Sequence, residues 1–325
     1  MSADLAALGL AVGHATDHAG ATGLTIVRGV DRAFRCAAAV VGRATGTREL
    51  HAASPFHLVD RVDAVMLTGG SAYGLDAAAG AMRWMEERGR GHPVGPDVIV
   101  PIIPAAVIFD LVPLGSLTAR PTPDMAYQAC DTATSSAIAE GSVGAGTGAT
   151  VGKAAGIGGA MKGGVGVATV TADDLTAGAV AVVNALGDVR DAHGDIIAGA
   201  RGDDGRFIDG ARIIAEGRLR RKFNVAALQN TTIAVVATSA CLPRVELSQL
   251  AQASSAALFR RITPTGTSFD GDVIFAVCPL EGPVVPAPQV EALAAAALEQ
   301  AIERAVRFAA GRDGVPGLAD AAPAR

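Results

Sequence analysis

The apolar positions of this chain fall into short runs set between glycines and polar stretches. The first run, Leu24, Ile26 and Val27, is flanked by Gly20, Gly23 and Gly29, and residues 9–30 are predicted as strand, turn, strand. Residues 62–67 are rich in β-formers, Gly69-Gly70-Ser71 follows, and a helical stretch runs from Tyr73 to near Arg88, so a strand–turn–helix unit is expected. Residues 98–107 are apolar but interrupted by Pro101 and Pro104, which predicts an edge strand or extended loop. Residues 125–140 are predicted helical. Strands are expected over 166–171 and 177–184, then a polar, glycine-dotted loop over 191–217 that leads into a basic patch at Arg218 to Lys222. A strongly apolar strand over 232–237 follows. Leu247, Leu250, Ala251, Ala257 and Leu258 give 244–262 a helical period. Another buried-type strand covers 273–277, and an Ala-rich helix over 290–310 is stopped by Gly311, with the tail from Pro316 expected to fray. Strand runs of antiparallel type mixed with helices predict layered sheets covered by helices rather than a doubly wound sheet.

Composition narrows the function classes. Half of the 325 residues are hydrophobic and 18% are charged, which excludes a disordered acidic or basic tail protein. With 40 glycines and 4% aromatics, the core must be built from Ala, Val, Leu and Ile with many close backbone approaches. The 27 basic residues nearly balance the 32 acidic ones and form no long stripe, so nucleic acid is not an expected partner. No run of about 18 uninterrupted apolar residues exists, so no membrane span is expected. The start, Met1-Ser2-Ala3-Asp4, lacks the basic and apolar regions of a signal peptide. Cys36, Cys130, Cys241 and Cys278 are scattered without a CxxC pair and are expected to be reduced thiols, which makes the cytoplasm the expected location.

Residues 141–166 are the glycine-richest zone. A phosphate-cradling loop would need Gly where Thr147 stands and Ser or Thr where Ala154 stands, and a dinucleotide fingerprint would need a preceding strand. The zone therefore reads as a loop that lets backbone pack tightly. Lys153 stands out as a cation in an otherwise uncharged stretch, either snorkelling to solvent or aimed at a site. His14 and His18 are four apart on a turn-like segment without an evident third ligand, and none of the six histidines sits beside a convincing nucleophile. No metal or cofactor is expected.

The most informative segment is Asn230-Thr231-Thr232. Alone, an Asn-Thr pair at a loop-to-strand boundary means a turn followed by a strand start. Together with other blocks it resembles the DmpA/BapA-type family of self-cleaving aminopeptidases, which includes nylon-oligomer hydrolases. The blocks are Gly13 to Asp17 with Thr22 to Thr25, Leu67 to Leu75, Gly144 through Lys153, Lys162 to Gly166, Val183 to Asp188, and Thr267 to Asp272. Each is weak alone, but their order along most of the chain is specific.

The resemblance implies an N-terminal-nucleophile amide hydrolase with an α/β/β/α sandwich fold. One hydrolase domain, 1–325, would be autoprocessed at Asn230–Thr231 into fragments 1–230 and 231–325. Thr231 would attack the preceding carbonyl, become a free N-terminus, and use its own α-amine as the base. By the same correspondence Asn184 is the expected oxyanion donor. Lys153 is expected to favour the neutral amine of Thr231 and stabilise negative charge. Asp270 and Asp272 are expected to hold the Thr231 ammonium or the amine of a substrate. The β-aminopeptidase branch carries Ser and Glu at these two places, whereas the Asp pair is that of the nylon-hydrolase branch. Some members carry Tyr where this chain has Phe109, before Asp110-Leu111, so no hydroxyl is supplied from that position. The implied substrate is a peptide or amide with a free amine on the acyl side, and the implied assembly is a homo-oligomer, often a tetramer, of processed pairs. Three alternatives stay open: hydrolysis of ω-amino-acid oligomers, acyl transfer of the ornithine-acetyltransferase type, and an unprocessed binding protein without activity.

Overall fold

A computed structural model describes residues 3–217 and 230–320. The basic patch at Arg218 to Lys222 lies outside the described residues. The strands in chain order are β1 (Leu10–Asp17), β2 (Thr22–Gly29), β3 (Arg35–Val40), β4 (Thr47–Arg48), β5 (Ala64–Thr68), β6 (His92–Gly95), β7 (Val98–Val100), β8 (Ala105–Val107) and β9 (Thr150–Val151). They continue with β10 (Met161–Lys162), β11 (Gly164–Ala172), β12 (Leu175–Asn184), β13 (Asp188–Arg190), β14 (Ile196–Ala198), β15 (Thr231–Thr238), β16 (Ile262–Thr263) and β17 (Val273–Cys278). The helices are α1 (Ala78–Glu86), α2 (Pro123–Asp131), α3 (Gly210–Ala215), α4 (Arg244–Ala253), α5 (Ser255–Arg261) and α6 (Ala287–Arg307).

Two five-stranded sheets form the centre, ordered β1-β2-β5-β8-β4 and β11-β12-β15-β17-β3. Strand alternation gives each sheet two apolar faces. Val27, Val65 and Leu67 of the first sheet meet Val167, Val182, Ile233, Val235 and Phe275 of the second. The outer face of the first sheet, with Leu24, Ile26 and Met66, is covered by α1 and α2. The outer face of the second, with Ala179, Ala181, Val236 and Ile274, is covered by α4, α5 and α6. The result is the α/β/β/α sandwich that the resemblance implied. Small residues permit its tight layers. A Cβ on Gly166 would lie 2.0 Å from the Ala301 carbonyl oxygen, so β11 and α6 touch backbone to backbone. Each Val, Leu or Ile so buried contributes about 1.5–3 kcal/mol.

Four local expectations need correction. Residues 105–107 are interior strand β8, between β5 and β4, not an edge. Pro101 and Pro104 fall between β7 and β8, and Pro104 still accepts the Met66 N–H at 3.0 Å through its carbonyl. The helix predicted over 125–140 ends at Asp131 because Thr134 pairs with Val12 in a bridge. The tail beyond Pro316 is docked as far as Asp320: the Lys162 N–H donates to the Pro316 carbonyl at 2.8 Å and the Ala319 N–H to that of Ala309 at 3.0 Å. Within 191–217, β14 and α3 are ordered elements rather than loop. The edge strand β3 went unpredicted.

Three ends of the second sheet converge. Thr231 opens β15 and pairs with Asn184, the last residue of β12, while β17, parallel to β15, starts just after Asp272. Alternation puts Thr231 on the face of Ile233 and Asn184 on the face of Val182, so both side chains point between the two sheets.

Candidate active site

Thr231 is 6% exposed at this convergence, and its hydroxyl donates to the Asn230 carbonyl oxygen at 2.5 Å. The same oxygen accepts the Gly271 N–H at 3.0 Å. The carbonyl that precedes Thr231 is thus in contact with a hydroxyl and polarised by a backbone amide. Sequence reasoning missed the Gly271 N–H because a backbone donor leaves no mark in residue type. The faint signal was a glycine between two Asp residues before a buried strand. A Cβ on Gly271 would meet the Ala44 carbonyl oxygen at 2.5 Å and the Thr231 Oγ1 at 2.9 Å, so only glycine fits there without displacement.

Lys153 does not snorkel. It is 3% exposed and its ammonium donates to the Asn184 Oδ1 at 2.9 Å and the Asn184 carbonyl at 3.0 Å. Burial pulls its pKa down to about 7, against the opposing pull of Asp270. A glycine in the left-handed region, Gly152 at φ 70°, turns the chain so that Lys153 enters the interior. Asn184 is held on both sides of its amide. Its Oδ1 also accepts the Thr150 N–H at 3.0 Å, and its Nδ2 donates to the Phe109 carbonyl at 3.1 Å. Phe109 therefore contributes through its backbone.

Both acidic residues are buried. Asp272 accepts the Thr232 N–H on Oδ1 at 2.6 Å and the Thr265 hydroxyl on Oδ2 at 3.1 Å. Burial, and then the nearby Asp270 charge, push its pKa up to about 7. Asp270 accepts the Thr267 N–H at 2.7 Å, and burial raises its pKa while Lys153 opposes the rise. In the uncleaved chain the two carboxylates thus brace the start of β15 and the turn before β17. All six residues singled out from the sequence, Lys153, Asn184, Asn230, Thr231, Asp270 and Asp272, are brought to this one end of the sheet.

The histidines stand apart from this chemistry. His14 Nδ1 lies 2.9 Å from the Thr25 hydroxyl, and burial lowers its pKa to about 4, so it is neutral at pH 7. Among the described residues no group of three or more His, Cys, Asp or Glu is placed to hold a metal ion.

The Peptidase family S58 model matches residues 4–316. The chain belongs to peptidase family S58. An uncharacterized aminopeptidase of Mycobacterium leprae is 43% identical over 250 residues, 73% of this chain, and the match spans 65% of that relative's length. One of Mycobacterium tuberculosis is 41% identical over 276 residues, 83% of this chain and 76% of the relative. A 6-aminohexanoate-oligomer endohydrolase of Paenarthrobacter ureafaciens is 29% identical over 270 residues, 83% of this chain and 72% of the relative. Among solved structures, the β-aminopeptidase of a Burkholderia species superposes with a TM-score of 0.69 at 19% identity, covering 95% of this chain and 88% of that one. The L-aminopeptidase D-Ala-esterase/amidase of Ochrobactrum anthropi, described as a variant of the Ntn hydrolase fold, gives 0.68 at 19%, with 97% and 90% covered. These two structural matches establish that this S58 member has the Ntn-type sandwich. No helix among its described residues is long and apolar enough to cross a membrane.

Proposed function

We propose that this S58 member is a self-cleaving amide hydrolase that releases N-terminal residues from peptides or amino-acid amides through an ester on Thr231. The observation that carries the proposal is the Thr231 hydroxyl held 2.5 Å from the Asn230 carbonyl oxygen, with the Gly271 N–H on that same oxygen. In self-cleavage, Oγ1 bonds to the Asn230 carbonyl carbon and its proton passes to the Thr231 nitrogen as the C–N bond breaks. Negative charge on the carbonyl oxygen meets the Gly271 N–H. Water then hydrolyses the ester, leaving the Asn230 carboxylate and a free Thr231 amine. That amine, with a reference pKa of about 7.7–8.0, takes the Oγ1 proton in each later turnover and returns it to the leaving amine.

The Lys153 ammonium stands beside Asn184 and lends positive charge to this end of the sheet, which favours the neutral amine. The processed fragments would stay together because β15 and β17 lie within one sheet between β12 and β3. A homo-oligomer of such pairs in the cytoplasm completes the proposal, in keeping with four unpaired thiols.

Hydrolysis of ω-amino-acid oligomers is the second reading, favoured by the 6-aminohexanoate-oligomer endohydrolase relatives and by the Asp270 and Asp272 pair. Mass analysis of the purified chain tests the first step. Two fragments are expected, the smaller beginning at Thr231, with Thr231→Ala remaining one chain. Full hydrolysis of aminoacyl p-nitroanilides by uncut protein would overturn it. Comparing those anilides with 6-aminohexanoate oligomers as substrates separates the two readings.

A further inference from the structure

Two buried charges outside the group described above grip the same part of the molecule. Lys162 is 1% exposed, and all three ammonium donors are used: on the carbonyls of Ala149 at 2.6 Å, Thr147 at 2.9 Å and Gly146 at 3.4 Å. Those carbonyls belong to the turn that delivers Thr150, and Lys162 is paired with Thr150 across β9 and β10. Thr150 in turn gives its N–H at 3.0 Å and its hydroxyl at 3.5 Å to the Asn184 Oδ1. On the other side stands Asp110, 2% exposed, which accepts the Gly70 N–H at 2.6 Å and the Thr22 hydroxyl at 2.7 Å. Its chain neighbour Phe109 supplies the carbonyl that receives the Asn184 Nδ2. The two grips join at Gly148, where a Cβ would come within 2.7 Å of the Asp110 Cβ.

A Lys and an Asp buried this deeply are costly, and each lowers stability unless hydrogen bonds and the opposite charge compensate. Lys162 and Asp110 act on one another through their charges without direct contact. A methionine at 162 would fill the same space without the desolvation cost. What the charged pair adds is a fixed geometry: three carbonyls turned toward one ammonium, and one amide and one hydroxyl turned toward one carboxylate.

We propose that Lys162 and Asp110 are positioning residues that fix the Asn184 carboxamide from both sides, Lys162 through Thr150 and Asp110 through Phe109. The inference rests on the proposed self-cleavage with Asn184 as an oxyanion donor beside the Gly271 N–H, the role the family resemblance implies for it, and it goes beyond the residues in contact with Thr231. Neither residue touches the reacting atoms.

Two measurements on the full chain test it. The first is the initial rate of cleavage after Asn230 in wild type, Asp110→Asn, Lys162→Met and Asn184→Ala, and in Asn184→Ala combined with each. Asp110→Asn keeps an oxygen for the Gly70 N–H and an amide for the Thr22 hydroxyl. Each single variant is expected to slow cleavage at least about 10-fold, by the sensitivity of reaction rates to misplacement of this kind. In the Asn184→Ala background the same change is expected to add less than a factor of about 2, as for sites that act through one shared group. Equal slowing in both backgrounds, or none in wild type, would overturn the proposal, because a merely structural role would act regardless of Asn184.

The second measurement needs no cleavage. In Thr231→Ala protein, the Asn184 side-chain amide resonance is identified by its loss in Asn184→Ala, and its hydrogen exchange is followed by NMR. Asp110→Asn is expected to speed that exchange at least about 10-fold while backbone exchange in β12 and β15 is unchanged, since local opening is independent of global unfolding. Unchanged side-chain exchange would overturn the proposal. If wild type proves unable to cut itself, the processing proposal fails and the exchange result alone decides the role of the pair.

Discussion

Gly271→Ala places a methyl group where the structure has almost no room, and it alters no side chain of the reacting group. The added Cβ would sit 2.9 Å from the Thr231 Oγ1 and 2.5 Å from the Ala44 carbonyl oxygen. Ordinary contact begins near 3.4 Å. The hydroxyl must therefore retreat by roughly half an ångström, and a misplacement of about 1 Å costs on the order of 100-fold in rate, so about 10-fold follows from this alone. The clash with Ala44 is backbone against methyl and is relieved by moving the 270–272 segment. That movement draws the Gly271 N–H away from the Asn230 oxygen it now meets at 3.0 Å. Loss of such a donor costs about 100- to 1000-fold. Self-cleavage is expected to slow at least about 100-fold. The assay is a time course on a denaturing gel, from freshly purified precursor to two fragments. Overpacking of this size costs about 1–3 kcal/mol, so a thermal melt by circular dichroism should still report a cooperative fold. A folded Gly271→Ala protein that cuts itself within about 3-fold of the wild-type rate would refute the role given to this amide.

The raised Asp272 pKa has a consequence for stability, best measured in the uncleavable Thr231→Ala chain. The unfolded chain gives up this proton near 3.8, whereas the folded chain keeps it to about 7. The folded state therefore binds more protons between those values, and stability is lost as pH rises through that window, at up to about 1.4 kcal/mol per pH unit. Asp272→Asn should flatten the fall in unfolding free energy between pH 5 and about pH 7.5, measured by urea titration; equal slopes in both proteins would rule the burial effect out. Phe275 is fully buried between the sheets, and Phe275→Ala should cost about 3–5 kcal/mol in the same titration, with a loss under about 1 kcal/mol excluding that core position.

Local pattern was enough for the elements whose neighbours in sequence decide them. The runs Leu24 to Val27, Val65 to Leu67, Thr232 to Ala237 and Val273 to Val277 are strands because β-formers between glycines and polar breaks have few other ways to bury themselves. The Ala-rich stretch that became α6 is helical for the matching reason, with its apolar side laid on β11 and β12. Lys153 stood out as a cation in an uncharged stretch, whereas Asn184, Thr231, Asp270 and Asp272 were singled out through the ordered blocks that resemble the family, since an Asn ending a strand or a Thr beginning one is by itself an ordinary turn residue. Contacts between distant residues decided the rest. Thr134 left the helical pattern because Val12 offered it a bridge, and β8 became interior because β4 and β5 flank it on either side. Lys162 gave no sign of its role, because its three carbonyl partners and Asp110 come together only when the 141–166 loop folds onto the strand ends. The Gly271 N–H is a group that every non-proline residue carries. Only the closing of β15 against β17 turned that one toward the Asn230 carbonyl, because a hydrogen bond is set by position and direction, and neither is written in residue type.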